Sequence, residues 1–118
     1  MLGVVITTNM LLGQFRFAEA FGGANTEYAY SLIQTADGGY AVAGYTRSFG
    51  AGGNDVLVLK LAPDGSLSWA KTFGGPRVEF GHSLAQTSDG GYVIGGYTES
   101  FSAGGDRDYF VLKLDLSG

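Results

Sequence analysis

Short apolar segments separated by glycine-rich turns run through this chain, and no stretch combines the apolar spacing of an amphipathic helix with helix caps. The first complete set of segments opens with SLIQT at residues 31–35, strand A. The turn ADGG follows, and Asp-Gly between apolar runs is a strong hairpin signal. Strand B is YAVAGYT, Tyr40–Thr46. The loop RSFGAGGN is too rich in glycine to continue a strand. Strand C is DVLVLKL, Asp55–Leu61, and the turn APDG leads into strand D, SLSWAKTF, residues 66–73. In that turn Pro63 presets φ and Gly65 admits positive φ. Strand C is apolar on both faces: Val56 and Val58 point one way, Leu57 and Leu59 the other. A sheet with one wet face alternates polar with apolar, so both faces of this sheet are expected to be covered. The small residues Ala41, Ala43 and Gly44 of strand B let a neighbouring sheet come close.

The same set occurs twice. Residues 21–53 align with residues 73–105 at an offset of about 52, within the range of propeller blades. Twenty of those positions are identical by direct comparison, among them FGG, DGGY and GYT. After a one-residue insertion DVLVLKL matches DYFVLKL, Asp108–Leu114. FRFAEAFGG at residues 15–23 matches LSWAKTFGG at residues 67–75, so a D-type strand precedes ABCD, and ABC follows. The chain therefore divides into residues 1–14, an N-terminal extension or degenerate strand C; residues 15–23, a D strand shared with the last blade; residues 24–75, the first blade; and residues 76–118, the second. If Phe15, Phe17 and Phe21 belong to a strand that completes the second blade, a strand C within residues 1–14 is surplus to a closed ring.

The pattern DGGY, GYT, SF, AGG, LKL, DG, W, FGG resembles bacterial and archaeal β-propeller repeat proteins, and is most similar to the seven-bladed β-propeller repeat family. The resemblance covers nearly the whole chain from residue 15. It implies an all-β fold, a β-propeller of four-stranded antiparallel blades, here two per chain where the family has many. It also implies an extracellular or cell-surface setting and names no activity. A second likeness is to the quinoprotein dehydrogenase propellers, whose blades carry Gly followed four residues later by Trp, as do Gly65 and Trp69. That likeness implies a blade-packing role for Gly65 and Trp69, and carries over none of the catalytic or metal-binding residues of those enzymes; Phe21 and Phe73 of the FGG segments read as inter-blade core, and Phe17 takes the place of Trp69 in the repeat. Two blades cannot close a ring, since propellers have about four to eight. The expected partner is the chain itself, as a cyclic trimer or tetramer.

Composition narrows the function classes. Glycine is high at 21 residues, without the three-residue period of collagen. A formal net charge of −4, with no basic stripe, argues against nucleic acid as a partner. There is no cysteine, so disulfide and thiolate chemistry are absent. The apolar run at the start is too short for a membrane-spanning helix. It has no Lys or Arg ahead of it and is broken by Thr7, Thr8 and Asn9, which reads against a signal peptide despite Ala18–Glu19–Ala20.

Each candidate for chemistry has a plainer reading. Asp37 and Asp89 each offer one carboxylate in a DGG turn, too few for calcium. Asp106 and Asp108 flank Arg107, a richer cluster that the first copy lacks. His82 is the only histidine, and its neighbour Ser83 should face the other side of a regular strand. Phe49 and Phe101 are aromatics in loops, where propellers carry function. Contact with a protein or glycan ligand is therefore assigned to Phe49, Phe101, His82, Asp106, Arg107 and Asp108, with no cofactor and no metal. The expected function is a non-catalytic scaffold that presents loops. The alternatives are a glycan-acting hydrolase or lyase, or a carbohydrate- or calcium-binding lectin, on the same fold.

Overall fold

A computed structural model describes the backbone of Gly3–Ile6 and all of residues 17–118. Its strands are β1 (Gly3–Ile6), β2 (Glu19–Gly22), β3 (Glu27–Gln34), β4 (Tyr40–Thr46), β5 (Asp55–Leu61), β6 (Leu67–Phe73), β7 (Glu79–Gln86), β8 (Tyr92–Thr98) and β9 (Asp108–Leu114). The described residues contain no helix. They form a β1-β2 pair, a sheet of order β3-β4-β5-β6 and a sheet of order β7-β8-β9, every neighbouring pair antiparallel.

Strands B and C lie where the alternation put them. Strand A starts four residues earlier than expected, at Glu27, and its counterpart at Glu79. The cause is a register shift between Ala29 and Ser31 and another between Gly81 and Ser83, which leave Tyr30 and His82 as the extra residues of β-bulges. A bulge breaks the two-residue period, so the first half of each strand reads out of phase with the second.

The second sheet stacks on the first, with β7 lying across β3, β4 and β5. Ala41, Ala43, Val56 and Val58 meet Leu84, Tyr92, Ile94 and Leu114 in one core. Gly81 sits at the closest approach: a Cβ there would lie 3.1 Å from both Val56 and Ile94. The stack is also tied through the backbone, where the Glu79 N–H donates to the Asn54 carbonyl at 2.7 Å and the Gly53 N–H to the Arg77 carbonyl at 2.9 Å.

The opposite face of β5 is covered from the N-terminal side. Leu57, Leu59 and Leu61 line a cleft of about 340 Å³ with Ala20 and Phe21 of β2. The Phe17 ring lies over Gly65, whose φ of 88° belongs to the turn before β6. Phe17 meets Tyr40 edge-on at 5.8 Å, and Trp69 meets Tyr92 edge-on at 5.8 Å. Val4 pairs with Phe21 as Val56 pairs with Phe73. The β1-β2 pair thus bears on the first sheet as β5-β6 bears on the second.

Within the chain the N-terminal D strand does not complete the second sheet: β2 pairs with β1, and no strand lies along the outer edge of β9 among the described residues. In the single chain residues 3–6 take the edge of β2 that such a pairing needs. Phe15 and most of residues 1–14 lie outside the described residues. Trp69 and Phe73 are half-buried and pack against the core, and Phe21 and Phe17 are half-buried too. No helix of the described residues is long and apolar enough to cross a membrane.

Leu84→Ala removes the side chain at the centre of the inter-sheet core. It should cost about 2–5 kcal/mol, read as a lower midpoint in urea denaturation with little change in slope.

Candidate functional site

The two bulges place Tyr30 and His82 beside each other, ring centres 4.6 Å apart. They belong to an aromatic series that crosses from sheet to sheet. Tyr28 stacks on Tyr45 at 5.5 Å, Tyr45 meets Phe80 edge-on at 4.5 Å, and Phe80 lies 4.9 Å from Tyr97. Arg107 ends the series, its guanidinium 4.7 Å from the centre of the Tyr97 ring. Glu99 holds that arginine at 3.3 Å and reaches Arg77 at 3.6 Å on its other oxygen. Burial pushes the Tyr97 phenol above its usual range, against the opposing charge of Arg107.

Beyond Tyr97 lies an open cavity of about 760 Å³, bordered by His82, Ser83, Tyr97, Arg107, Asp108 and Tyr109. Three of the expected contact residues, His82, Arg107 and Asp108, are therefore brought together. Ser83 joins them because the bulge puts it and His82 beside one cavity, where regular alternation separates them. No hydrogen bond links His82 to Ser83 among the described residues, so nothing there activates the hydroxyl. Asp108 accepts the Ala103 N–H at 3.0 Å, which ties its carboxylate to its own loop.

The other three lie elsewhere. The carboxylate of exposed Asp106 accepts the Arg107 N–H at 2.9 Å. Phe49 rests against Gly23, and Phe101 against Gly75 and, at 6.3 Å, Phe110. Each loop phenylalanine thus lids the glycine pair of an FGG turn, and Phe101 stays 61% exposed while doing so.

The strongest buried electrostatics lie at the recurring acids Glu79 and Asp55. Glu79 is fully buried. Its carboxylate accepts the Thr98 hydroxyl at 2.8 Å and the N–H groups of Gly75 at 2.8 Å and Ser100 at 3.0 Å. Burial alone would raise its pKa, but those hydrogen bonds outweigh it and the pKa falls below the usual value. Asp55, also buried, accepts the Ala51 N–H at 2.6 Å on Oδ2, and its Oδ1 has no partner among the described residues. Burial raises the Asp55 pKa from its ordinary value and the charge of Glu79 adds to it, against the Ala51 N–H, which lowers it. A Cβ on Gly74 would lie 2.7 Å from both carboxyl groups, so that residue leaves the room in which they meet.

The DGG turns are pins. Asp37 accepts the Thr35 hydroxyl, the Gly39 N–H at 2.9 Å and the Lys60 ammonium at 3.0 Å, and in that order these hold its carboxyl far below the usual range. Asp89 repeats the arrangement with Thr87, Gly91 and Lys113. A cation there must displace an ammonium group. Among the described residues no three His, Asp or Glu side chains gather as metal ligands.

The chain matches no family model and no curated protein.

Asp55 sets a pH dependence of known sign. Its folded pKa is raised, so its stabilising contribution is complete below the unfolded value of about 3.9 and is lost as pH rises through the folded value. Asp55→Asn keeps an acceptor for Ala51 and removes the buried charge. Its Tm should exceed that of the parent at pH 7.5, and the gap should close as pH falls towards 4, as followed by thermal denaturation across that range.

Proposed function

We propose that the chain is a non-catalytic structural and interaction module, two blades of a β-propeller that present loops to a protein or glycan and join further copies head to tail into a ring. One observation carries this reading. Positions that are buried between the two sheets are exposed at the two ends of the stack. Leu84 is 6% exposed and its counterpart Leu32 is 64% exposed. Val56 and Val58 are fully buried, whereas Tyr109 and Val111, at the corresponding places on β9, are 97% and 71% exposed. Sheet one therefore offers at its free face what sheet two uses to dock, and sheet two offers what sheet one uses to receive. Such unlike, complementary faces make a heterologous contact, which closes into a ring when the rotation allows.

The same comparison supports a use for the cavity at Tyr97. Its counterpart at Tyr45 is filled by Phe80. Tyr28, equivalent to Phe80 and 57% exposed, is the side chain that a second copy would place against Tyr97. The cavity is thus read as a socket for another unit rather than a substrate pocket. That leaves the loop aromatics and the Asp106 and Arg107 turn at the periphery for outside partners.

Light-scattering mass should give three or four copies per particle, and a monomer at all concentrations overturns the reading. Leu32→Asp damages one face and Val111→Asp the other, so each variant alone should be monomeric. Mixed in equal amounts they should form a one-to-one dimer through the intact pair of faces. Failure to dimerise, in variants that keep the parent's circular dichroism, places the contact elsewhere.

A further inference from the structure

The β1-β2 pair occupies the seat that the β9 strand of a docking copy requires. Within the chain β5 and β6 cover one face of the second sheet, and β1 and β2 cover the same face of the first. The ladders correspond: Gly3 to Ile6 run against Gly22 to Glu19 as β5 runs against β6, with Val4 opposite Phe21 and Val56 opposite Phe73. A second copy that docks by the in-chain geometry brings its own β9 to the position of β1. Among the described residues no strand lies along the outer edge of β9, and β2 is a D-type strand whose matching edge is paired with β1.

We infer that β1 is a resident placeholder, and that copies join by strand exchange in which β9 of one chain displaces β1 from β2 of the next. This rests on the head-to-tail reading above. Strand addition to an exposed sheet edge is a general mode of recognition, because the main chain supplies the binding and the side chains the register. The exchange favours the newcomer because it completes a four-stranded second sheet and covers Tyr109 and Val111, which are bare in the single chain. The template sets the register: Val56 opposite Phe73, Leu57 opposite Thr72 and Val58 opposite Lys71 become Tyr109 opposite Phe21, Phe110 opposite Ala20 and Val111 opposite Glu19 of the neighbouring copy. The placeholder keeps the edge of β2 paired until a copy arrives, and the outer edge of β9 stays selective for a D-type strand.

The test uses the full chain, which has no cysteine of its own. Val5 and Ala20 are paired residues of β1 and β2. Val5→Cys with Ala20→Cys, oxidised within the monomer, locks the placeholder in its seat. The oxidised protein should sediment as a monomer and should assemble once reduced. Deleting residues 2–12 removes the placeholder outright and should tighten association at least tenfold. Ala20→Cys with Phe110→Cys should form disulfides between copies. Equal assembly of the oxidised and reduced Val5/Ala20 protein overturns strand exchange while leaving head-to-tail docking intact. If the parent, the reduced variant and the deletion all stay monomeric at every concentration, the docking reading itself fails and the exchange fails with it.

Discussion

A strand that is apolar on both faces has to be covered twice, and β5 is that strand. Its seven residues are all buried. Val56 and Val58 demand a sheet on one side, while Leu57, Leu59 and Leu61 demand one on the other. Burial of this kind is worth about 25 cal/mol per Å² of apolar surface, and it cannot be satisfied within one sheet. The stack follows: the second sheet covers the valines and the β1-β2 pair covers the leucines. The same demand passes outward to β9, where one face is met and the other is open.

Stacking at this closeness makes polar atoms costly at the seams, and the way each is handled explains much of the remaining sequence. Glu79 stands where the connection after β6 turns back into β7, and gathers the donors of that turn and of the loop after β8. Glu27 does the same at the N-terminal side, with Gly23 and Thr46 as donors. A buried carboxylate is tolerable when hydrogen-bonded in this way. The Tyr92 hydroxyl and Asp55 Oδ1 are the exceptions, unpartnered among the described residues, and Asp55 lies beside another acid. Its cost accompanies a position where the chain must leave a glycine-rich loop and enter the most buried strand.

The cavity beside Tyr97 shows why the sequence located chemistry only in part. His82 and the Asp106–Arg107 pair stand out because the first unit lacks them, whereas Asp108 recurs as Asp55. That His82, Arg107 and Asp108 border one cavity was not readable, since it depends on a bulge at His82 and on which loop folds over which strand. Phe49 and Phe101 stood out for the opposite reason, as aromatics in loops that read as solvent-facing. Their rings close over the FGG turns, contacts some 26 residues away in sequence that no local pattern announces.

Local pattern alone determined the all-β character, the spans of β4 and β5, the DGG and PDG turns and the need for cover on both faces of β5. Each follows from backbone geometry over a few residues: side-chain alternation, glycine at positive φ, and the residue preferences of tight turns. Comparison of the two halves added the matched segments and showed which positions should be equivalent. Tertiary structure alone decided which equivalent positions differ in burial, how far the bulged strands β3 and β7 extend, and what pairs with β2. Those outcomes rest on competition for one edge and one face between segments distant in the chain. A strand carries the same alternation whether its edge is taken by β1 or, as in β9, left unpaired among the described residues, so only the folded arrangement distinguishes the two.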